Sequence, residues 1–342
     1  MPRWKCTCVR SKATTKARLA GSPEIETQAM WSTTMSEPVT KWAIAADGTS
    51  VAYWDHGGEG LPVIFTNGYA TSTYYWDGLV EALGESVRVI TWDLRGHGRS
   101  CAARDPASLT VEGCTDDLRR VMDAAGVERA VLVAFSFGCQ IVLEAWRQMP
   151  ERIAGLVPIL GPFERPFDTL VDPRVGPGLY KLFRRVRPPV VATLLRASAR
   201  AGRLPGVHRL AQLSGVVGRG VSAAAMTPFY ETLAGIDPPS WHALGLAAQE
   251  HSARDVLESI SAPTLVVAGG RDVFSPGALG REMAALIPGA RLLWLAEATH
   301  TGLLGHPDAI AQALRTYLDD LRSEGPGQKT PEQETPGQML PA

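Results

Sequence analysis

Ala130-Val131-Leu132-Val133-Ala134-Phe135-Ser136-Phe137-Gly138-Cys139-Gln140-Ile141-Val142-Leu143 is the stretch whose reading decides the fold. Its first six residues are apolar and partly β-branched, as in a strand buried on both faces. The run stops at a serine, after which apolar residues recur three and four apart, as on a helix. Strand, tight turn and helix therefore meet at a hydroxyl. A sharp turn lifts that side chain clear of the sheet, and the helix start behind it offers unpaired N–H groups to developing negative charge.

The rhythm continues on both sides. Thr40 to Ala46 and Thr49 to Trp54, separated by Asp47-Gly48, read as a hairpin. Pro62 to Thr66 is a short buried strand running into Asn67-Gly68-Tyr69, with a helix from about Tyr75 to Leu83. Val87 to Trp92 leads into a glycine-rich loop, Asp93-Leu94-Arg95-Gly96-His97-Gly98-Arg99-Ser100, and Val111 to Ala125 is helical with Gly126 placed to end it. A strand at Ile153 to Leu160 follows the opening unit. After a break the pattern resumes with strands at Pro263 to Ala268 and Ala290 to Ala296 and helices at Ala278 to Leu286 and Pro307 to Leu321. Alternation of this kind predicts an α/β fold: a mostly parallel sheet of about eight strands flanked by helices.

Between Gly161 and about Ser261 no strand is apparent, only helical segments near Gly178 to Val186, Val190 to Ala201 and Trp241 to Ile260. The expected organisation is a discontinuous core, 37–161 and 262–322, with a helical lid at 162–261 inserted after the sixth strand. Residues 1–36 are basic and polar, with no acidic residue before Glu24. They read as a disordered extension, with a targeting peptide as the alternative and Met30 or Met35 as a possible true start. Residues 323–342, rich in Pro, Gln, Glu and Gly, read as a disordered tail.

Composition narrows the function. A 45% hydrophobic and 20% charged chain is ordinary for a globular protein, and a formal net charge of −1 creates no global field for nucleic acid or anionic membrane, which leaves local basic runs to be judged separately. No apolar run nears the length of a bilayer span, so stable membrane insertion is not expected. Five cysteines at 6, 8, 101, 114 and 139, without CxxC spacing, argue against a disulfide framework and a metal site and for a reducing, cytoplasmic setting.

A serine hydroxyl needs a base within hydrogen-bond reach and a carboxylate to orient that base. Parallel strands end on one side, so residues that follow strands can converge. Three do so in order: Ser136, then Asp272 in Gly269-Gly270-Arg271-Asp272, then His300 in Ala298-Thr299-His300-Thr301-Gly302. The backbone N–H groups of Tyr69 and Phe137 are the expected oxyanion donors, with Gly68 allowing close approach to a bound carbonyl. Taken singly, a turn serine, a loop aspartate and a loop histidine have bland readings; their joint placement does not.

From about Val39 to Leu321 the chain resembles the α/β-hydrolase superfamily in its lidded branch. The matching residues are Asn67-Gly68-Tyr69 at the oxyanion loop, Asp93 to Ser100 after the fourth strand, Ala134 to Gly138 at the nucleophile elbow, Gly270-Arg271-Asp272 at the acid loop and His300 at the base. The resemblance implies a structural role for His97, since the family uses that loop to brace the sheet edge. Two positions depart from the pattern: Ala134 replaces the first glycine of Gly-x-Ser-x-Gly, and Asn67 replaces a histidine. Ala134 is expected to be tolerated because the strained dihedrals belong to Ser136.

A serine at the elbow, where dehalogenase and epoxide hydrolase relatives carry aspartate, implies hydrolysis through an acyl-enzyme. The expected function is a serine hydrolase acting on a small-to-medium, mostly apolar carboxylic ester or related acyl compound, with no metal and no organic cofactor. A cofactor-free perhydrolase or a carbon-carbon bond hydrolase on the same triad is the alternative, and a non-catalytic ligand-binding protein is the alternative from another class. Asn67, Phe135 and Phe274 are candidate pocket residues. Leu194, Leu195, Leu204, Leu210, Leu213, Val216, Val217, Met226, Phe229 and Tyr230 are candidates from the lid. The lid's Arg184, Arg185, Arg187, Arg196, Arg200, Arg203 and Arg209 read as a solvated face or as a receiver for an anionic substrate. The partner expected is a small acyl substrate; oligomeric state is not legible.

Overall fold

The computed structural model describes residues 38–170, 172–323 and 339–340. The basic extension at 1–36 and most of the expected tail lie outside these residues. Eight strands form the body of one sheet: β1 (Lys41–Ile44), β2 (Ser50–Asp55), β3 (Pro62–Thr66), β4 (Arg88–Trp92), β5 (Ala130–Phe135), β6 (Ile153–Ile159), β7 (Leu265–Gly269) and β8 (Arg291–Leu295). Their spatial order is β1-β2-β4-β3-β5-β6-β7-β8, and only β2 runs against the rest.

Met339–Leu340 add a two-residue strand, β9, parallel to β8. The sequence reading placed these residues in a disordered tail; an open edge of unpaired N–H and C=O groups beside β8 accepts any short extended segment, whatever its flanking composition.

The alternation of side chains along β3 and β5 divides the core into two layers. Ile64, Leu132 and Ala134 face α2 (Val111–Ala124) and α3 (Gly138–Gln148), while Val63, Phe65, Val131, Val133 and Phe135 face α1 (Asp77–Leu83) and the C-terminal helix Pro307–Ser323. Thr110 caps α2 by accepting from the Gly113 N–H at 3.0 Å.

The loop after β4 braces the sheet edge as expected. Asp93 accepts from the Arg99 N–H at 2.8 Å, Ser100 Oγ donates to the Asp93 carbonyl at 2.6 Å, and Ala52 N–H donates to Ser100 Oγ at 2.9 Å. Arg95 is buried against Asp117. Buried His97 contacts the Arg95 carbonyl through Nδ1 at 3.1 Å, a structural role.

Between β6 and β7 the chain forms α4 (Pro166–Thr169), α5 (Gly176–Phe183), α6 (Pro188–Gly202), α7 (Pro205–Leu213), α8 (Thr227–Gly235) and α9 (Pro238–Glu250), then a 3₁₀ turn at Arg254–Ser259. Three helical segments were legible in sequence; α4, α7 and α8 were not. Each of the six helices has proline in its first two positions. Prolines that read as breaks are helix starts, where the missing N–H costs nothing and the fixed φ suits the helix. The segment read as one helix from Trp241 to Ile260 stops at Glu250, because His251 turns extended and contacts Glu144 at 3.0 Å. The insertion packs around its own small core of Val191, Leu195, Val217, Met226 and Leu233.

Helices α10 (Gly277–Leu286), α11 (Gly302–Gly305) and α12 (Pro307–Ser323) complete the chain. No helix among the described residues is long and apolar enough to cross a membrane. Cys114 and Cys139 are buried free thiols.

Candidate active site

The loops that follow β3 and β5 leave adjacent parallel strands for opposite sides of the sheet, which opens a crevice at their carboxyl ends. Ser136 stands in it with φ of 52°, a conformation that costs a non-glycine residue about 1–3 kcal/mol and that the surrounding packing enforces. The fit around it is close. A Cβ on Gly138 would lie 2.7 Å from the Thr66 carbonyl oxygen, and one on Gly68 would lie 2.7 Å from the Phe135 ring and 2.9 Å from Ser136 Cβ. Those two positions admit only glycine. Ala134 is fully buried without disturbing the turn, as expected.

Ser136 Oγ lies 2.9 Å from His300 Nε2, and His300 Nδ1 lies 2.8 Å from Asp272 Oδ2. The other Asp272 oxygen accepts from the N–H groups of Phe274 and Ser275 at 2.8 and 2.9 Å, so the carboxylate is fixed in orientation and its side chain is inaccessible to solvent. The His300 ring lies beside Phe135 and Phe274, at centroid distances of 5.0 and 5.1 Å. Apolar walls on the imidazole and a fully anchored acid hold the ring where it can take a proton from the serine. Phe137 directly follows the serine and Tyr69 lies in the loop after β3; among the described residues neither amide N–H donates to another protein atom.

These residues open onto a cavity of about 450 Å³. Its wall is almost wholly apolar. The core supplies Phe135, Phe137 and Phe274; the insertion supplies Phe167, Leu170, Phe183, Met226, Phe229 and Trp241. Phe135 and Phe274, two of the candidate pocket residues, line this cavity.

Asn67 is not. It is fully buried behind the wall, where its amide donates to the Trp92 carbonyl at 2.7 Å and to Asp93 at 3.0 Å and accepts from Trp76 Nε1 at 2.7 Å. With its polar atoms engaged, Asn67 braces the loop that carries Tyr69. Of the insertion candidates, Val216, Val217, Met226 and Phe229 line the cavity. Leu195 and Tyr230 belong to the insertion core, and Leu194, Leu204, Leu210 and Leu213 face solvent. All seven arginines considered as anion receivers are exposed and none lines the cavity.

Sequence reasoning missed Trp241, Phe183 and the Tyr69 side chain. The Tyr69 hydroxyl donates to the Trp241 carbonyl at 2.5 Å and the two rings stack at 5.0 Å, which ties the oxyanion loop to α9. Burial pushes the Tyr69 phenol well above its usual pKa, so it stays neutral. Gln140, also missed, lies in the first turn of α3 and lines the cavity. Elsewhere Glu112, Glu144 and His251 bring ligand atoms within 4.8 Å of one another, but the Glu144 carboxylate is already engaged by Arg147, Gln148 and His251, which leaves an ion-pair network satisfied by protein.

An α/β sheet carrying a serine, histidine and aspartate in hydrogen-bonded series beneath a cavity defines a hydrolase. The family model for the alpha/beta hydrolase fold matches residues 62–307, and the chain belongs to that family. It is similar to the polyketide synthase ThaQ of Burkholderia thailandensis, 30% identical over 77% of this chain, a match that spans only 12% of the synthase. It is also similar to the pimeloyl-[acyl-carrier protein] methyl ester esterase of Aliivibrio fischeri, 23% identical over 79% of this chain and 98% of the esterase. Among solved structures, a hydrolase from Pseudomonas aeruginosa PA01 superposes with a TM-score of 0.63 at 25% identity, covering 82% of this chain and 98% of that one.

Proposed function

We propose that the protein hydrolyses a small-to-medium, mostly apolar carboxylic ester or related acyl compound through an acyl-enzyme. The observation that carries this reading is the series Ser136–His300–Asp272, at 2.9 and 2.8 Å, opening onto an apolar cavity of about 450 Å³. In the proposed reaction Ser136 Oγ attacks the acyl carbon while His300 Nε2 takes its proton. The Tyr69 and Phe137 N–H groups hold the oxyanion, and His300 returns the proton to the departing alcohol. Water, deprotonated by His300, then attacks the acyl-enzyme and releases the acid and Ser136. Asp272 fixes the imidazole tautomer and stabilises the imidazolium. The esterase from Aliivibrio fischeri, whose name specifies a methyl ester substrate, supports the ester class.

A panel of p-nitrophenyl esters of increasing acyl length, run beside acyl thioesters and a peracid assay, tests the proposal. Saturable turnover of esters, lost in Ser136→Ala, is the expected result. Peracid formation or carbon-carbon cleavage without ester turnover would overturn the reading.

A further inference from the structure

The outer surface of the insertion takes no part in the proposed reaction. Between Asp172 and Glu231 the chain holds ten Lys or Arg residues and no Asp or Glu, in a protein with a net charge of −1. The acidic excess therefore lies entirely outside this stretch. Arg203 reaches Glu231 at 3.8 Å and Arg184 lies over the Tyr180 ring; among the described residues the other eight form no ion pair. The same stretch exposes large apolar side chains: Leu182 is 64% exposed, Val190 50%, Leu194 54%, Leu204 57%, Leu210 64% and Leu213 72%. On α6 the buried line is Val191, Leu195 and Ala199. Val190 and Leu194 stand on one flank of it, and Arg196, Arg200 and Arg203 on the other. Helix α7 packs on α6 and buries none of its described side chains.

We infer that the outer face of α5–α7 is a docking surface for the interface of an anionic lipid bilayer. Charge complementarity selects this occupant. Exposed arginines without carboxylate partners meet phosphate headgroups, while leucines and valines beside them enter the acyl boundary. A second copy of the chain would bring like charge against like. An acidic protein would satisfy the charge, but the most exposed large side chains here are aliphatic, Tyr180 being part-covered by Arg184, whereas protein interfaces are anchored chiefly by Trp, Tyr and Arg. Attachment is peripheral, since no described helix can span. The surface adjoins the cavity: Val216, just past α7, lines it and is 37% exposed. An apolar substrate dissolved in the bilayer thus meets the cavity wall at the docking face. That last step rests on the acyl-hydrolase reading; the docking itself does not.

Sedimentation of the full-length chain with sucrose-loaded vesicles tests the inference without calling on catalysis. Vesicles of phosphatidylcholine containing about one-third phosphatidylglycerol should retain the protein at low salt, and vesicles of phosphatidylcholine alone should not. Each basic residue at such a surface raises partitioning on the order of fivefold, so Arg196→Glu with Arg200→Glu should lower it by at least about 20-fold. Leu210→Asp with Leu213→Asp should also release the protein, and both variants should keep the wild-type circular dichroism melting curve. No binding to anionic vesicles, equal binding to both vesicle types, or retention unchanged in the two variants would overturn the inference. So would capture by a poly-glutamate column with no vesicle binding, which reassigns the face to an acidic protein.

Discussion

The sheet edge and the helical insertion share one cavity, yet they hold their side of it differently. At the sheet edge the side chains that hold the triad and the loop beneath it have assigned polar partners: Asp272 is tied to two backbone amides, His300 to Asp272, and Asn67 to Trp76, Trp92 and Asp93. Across the cavity, Phe167, Phe183, Met226 and Phe229 are held chiefly by apolar packing. Chemistry needs atoms fixed within a fraction of an ångström, so it demands particular residue types; an apolar wall needs volume and shape, which many residues supply.

Four predictions sharpen that contrast. The largest effect belongs to the sheet edge: Ser136→Ala or His300→Ala should lower kcat by about 10⁴-fold or more while leaving the melting temperature within a few degrees of wild type. Steady-state kinetics beside thermal unfolding checks both parts. Gly68→Ala comes next, because its methyl meets the Phe135 ring and Ser136 Cβ below 3.0 Å. It should displace the Tyr69 N–H and cost on the order of 10²-fold in kcat.

On the insertion side, Phe183→Ala should change relative kcat/KM along an ester chain-length series by about 10–200-fold. Reactivity of Ser136 toward a small fluorophosphonate should stay within a few-fold. If that reactivity collapsed instead, the division between fixed chemistry and adaptable wall would fail.

A smaller effect concerns pH and the brace beneath the oxyanion loop. Burial raises the Asp93 carboxyl to about 7, so its contribution to stability is complete below 3.8 and is lost as pH rises through 7. Burial lowers His97 to about 4, so its contribution is present above 6.5 and is lost as pH falls through 4. Between pH 4 and 6.5 the two slopes oppose and nearly cancel. Asp93→Asn removes one of them, so the difference in unfolding free energy between variant and wild type should rise with pH in that window by up to about 1.4 kcal/mol per unit in urea titrations.

The same contrast explains what was legible in sequence. Ser136, Asp272 and His300 could be found because each follows a strand, and parallel strands deliver their ends to one edge. Tyr69 was located by its backbone, from the glycine before it, while its side chain's contact with Trp241, 172 residues away, leaves no local trace. Asn67 was read as a pocket residue because it sits in the right loop; whether a loop side chain points into a cavity or back beneath it depends on partners such as Trp76 and Asp93 that no spacing rule connects. In the insertion, prolines that start helices resemble prolines that end them, so α4, α7 and α8 went unseen. The two-residue strand at Met339–Leu340 was hidden by the polar composition before it.

The central claim is that Ser136 is the nucleophile activated by His300. Its most direct measurement is peptide mass spectrometry after reaction of native protein with a fluorophosphonate. One adduct on the peptide containing Ser136, absent after unfolding and absent in Ser136→Ala and His300→Ala, is the predicted result. An adduct at another residue, or none on protein that retains its native melting transition, would contradict the account.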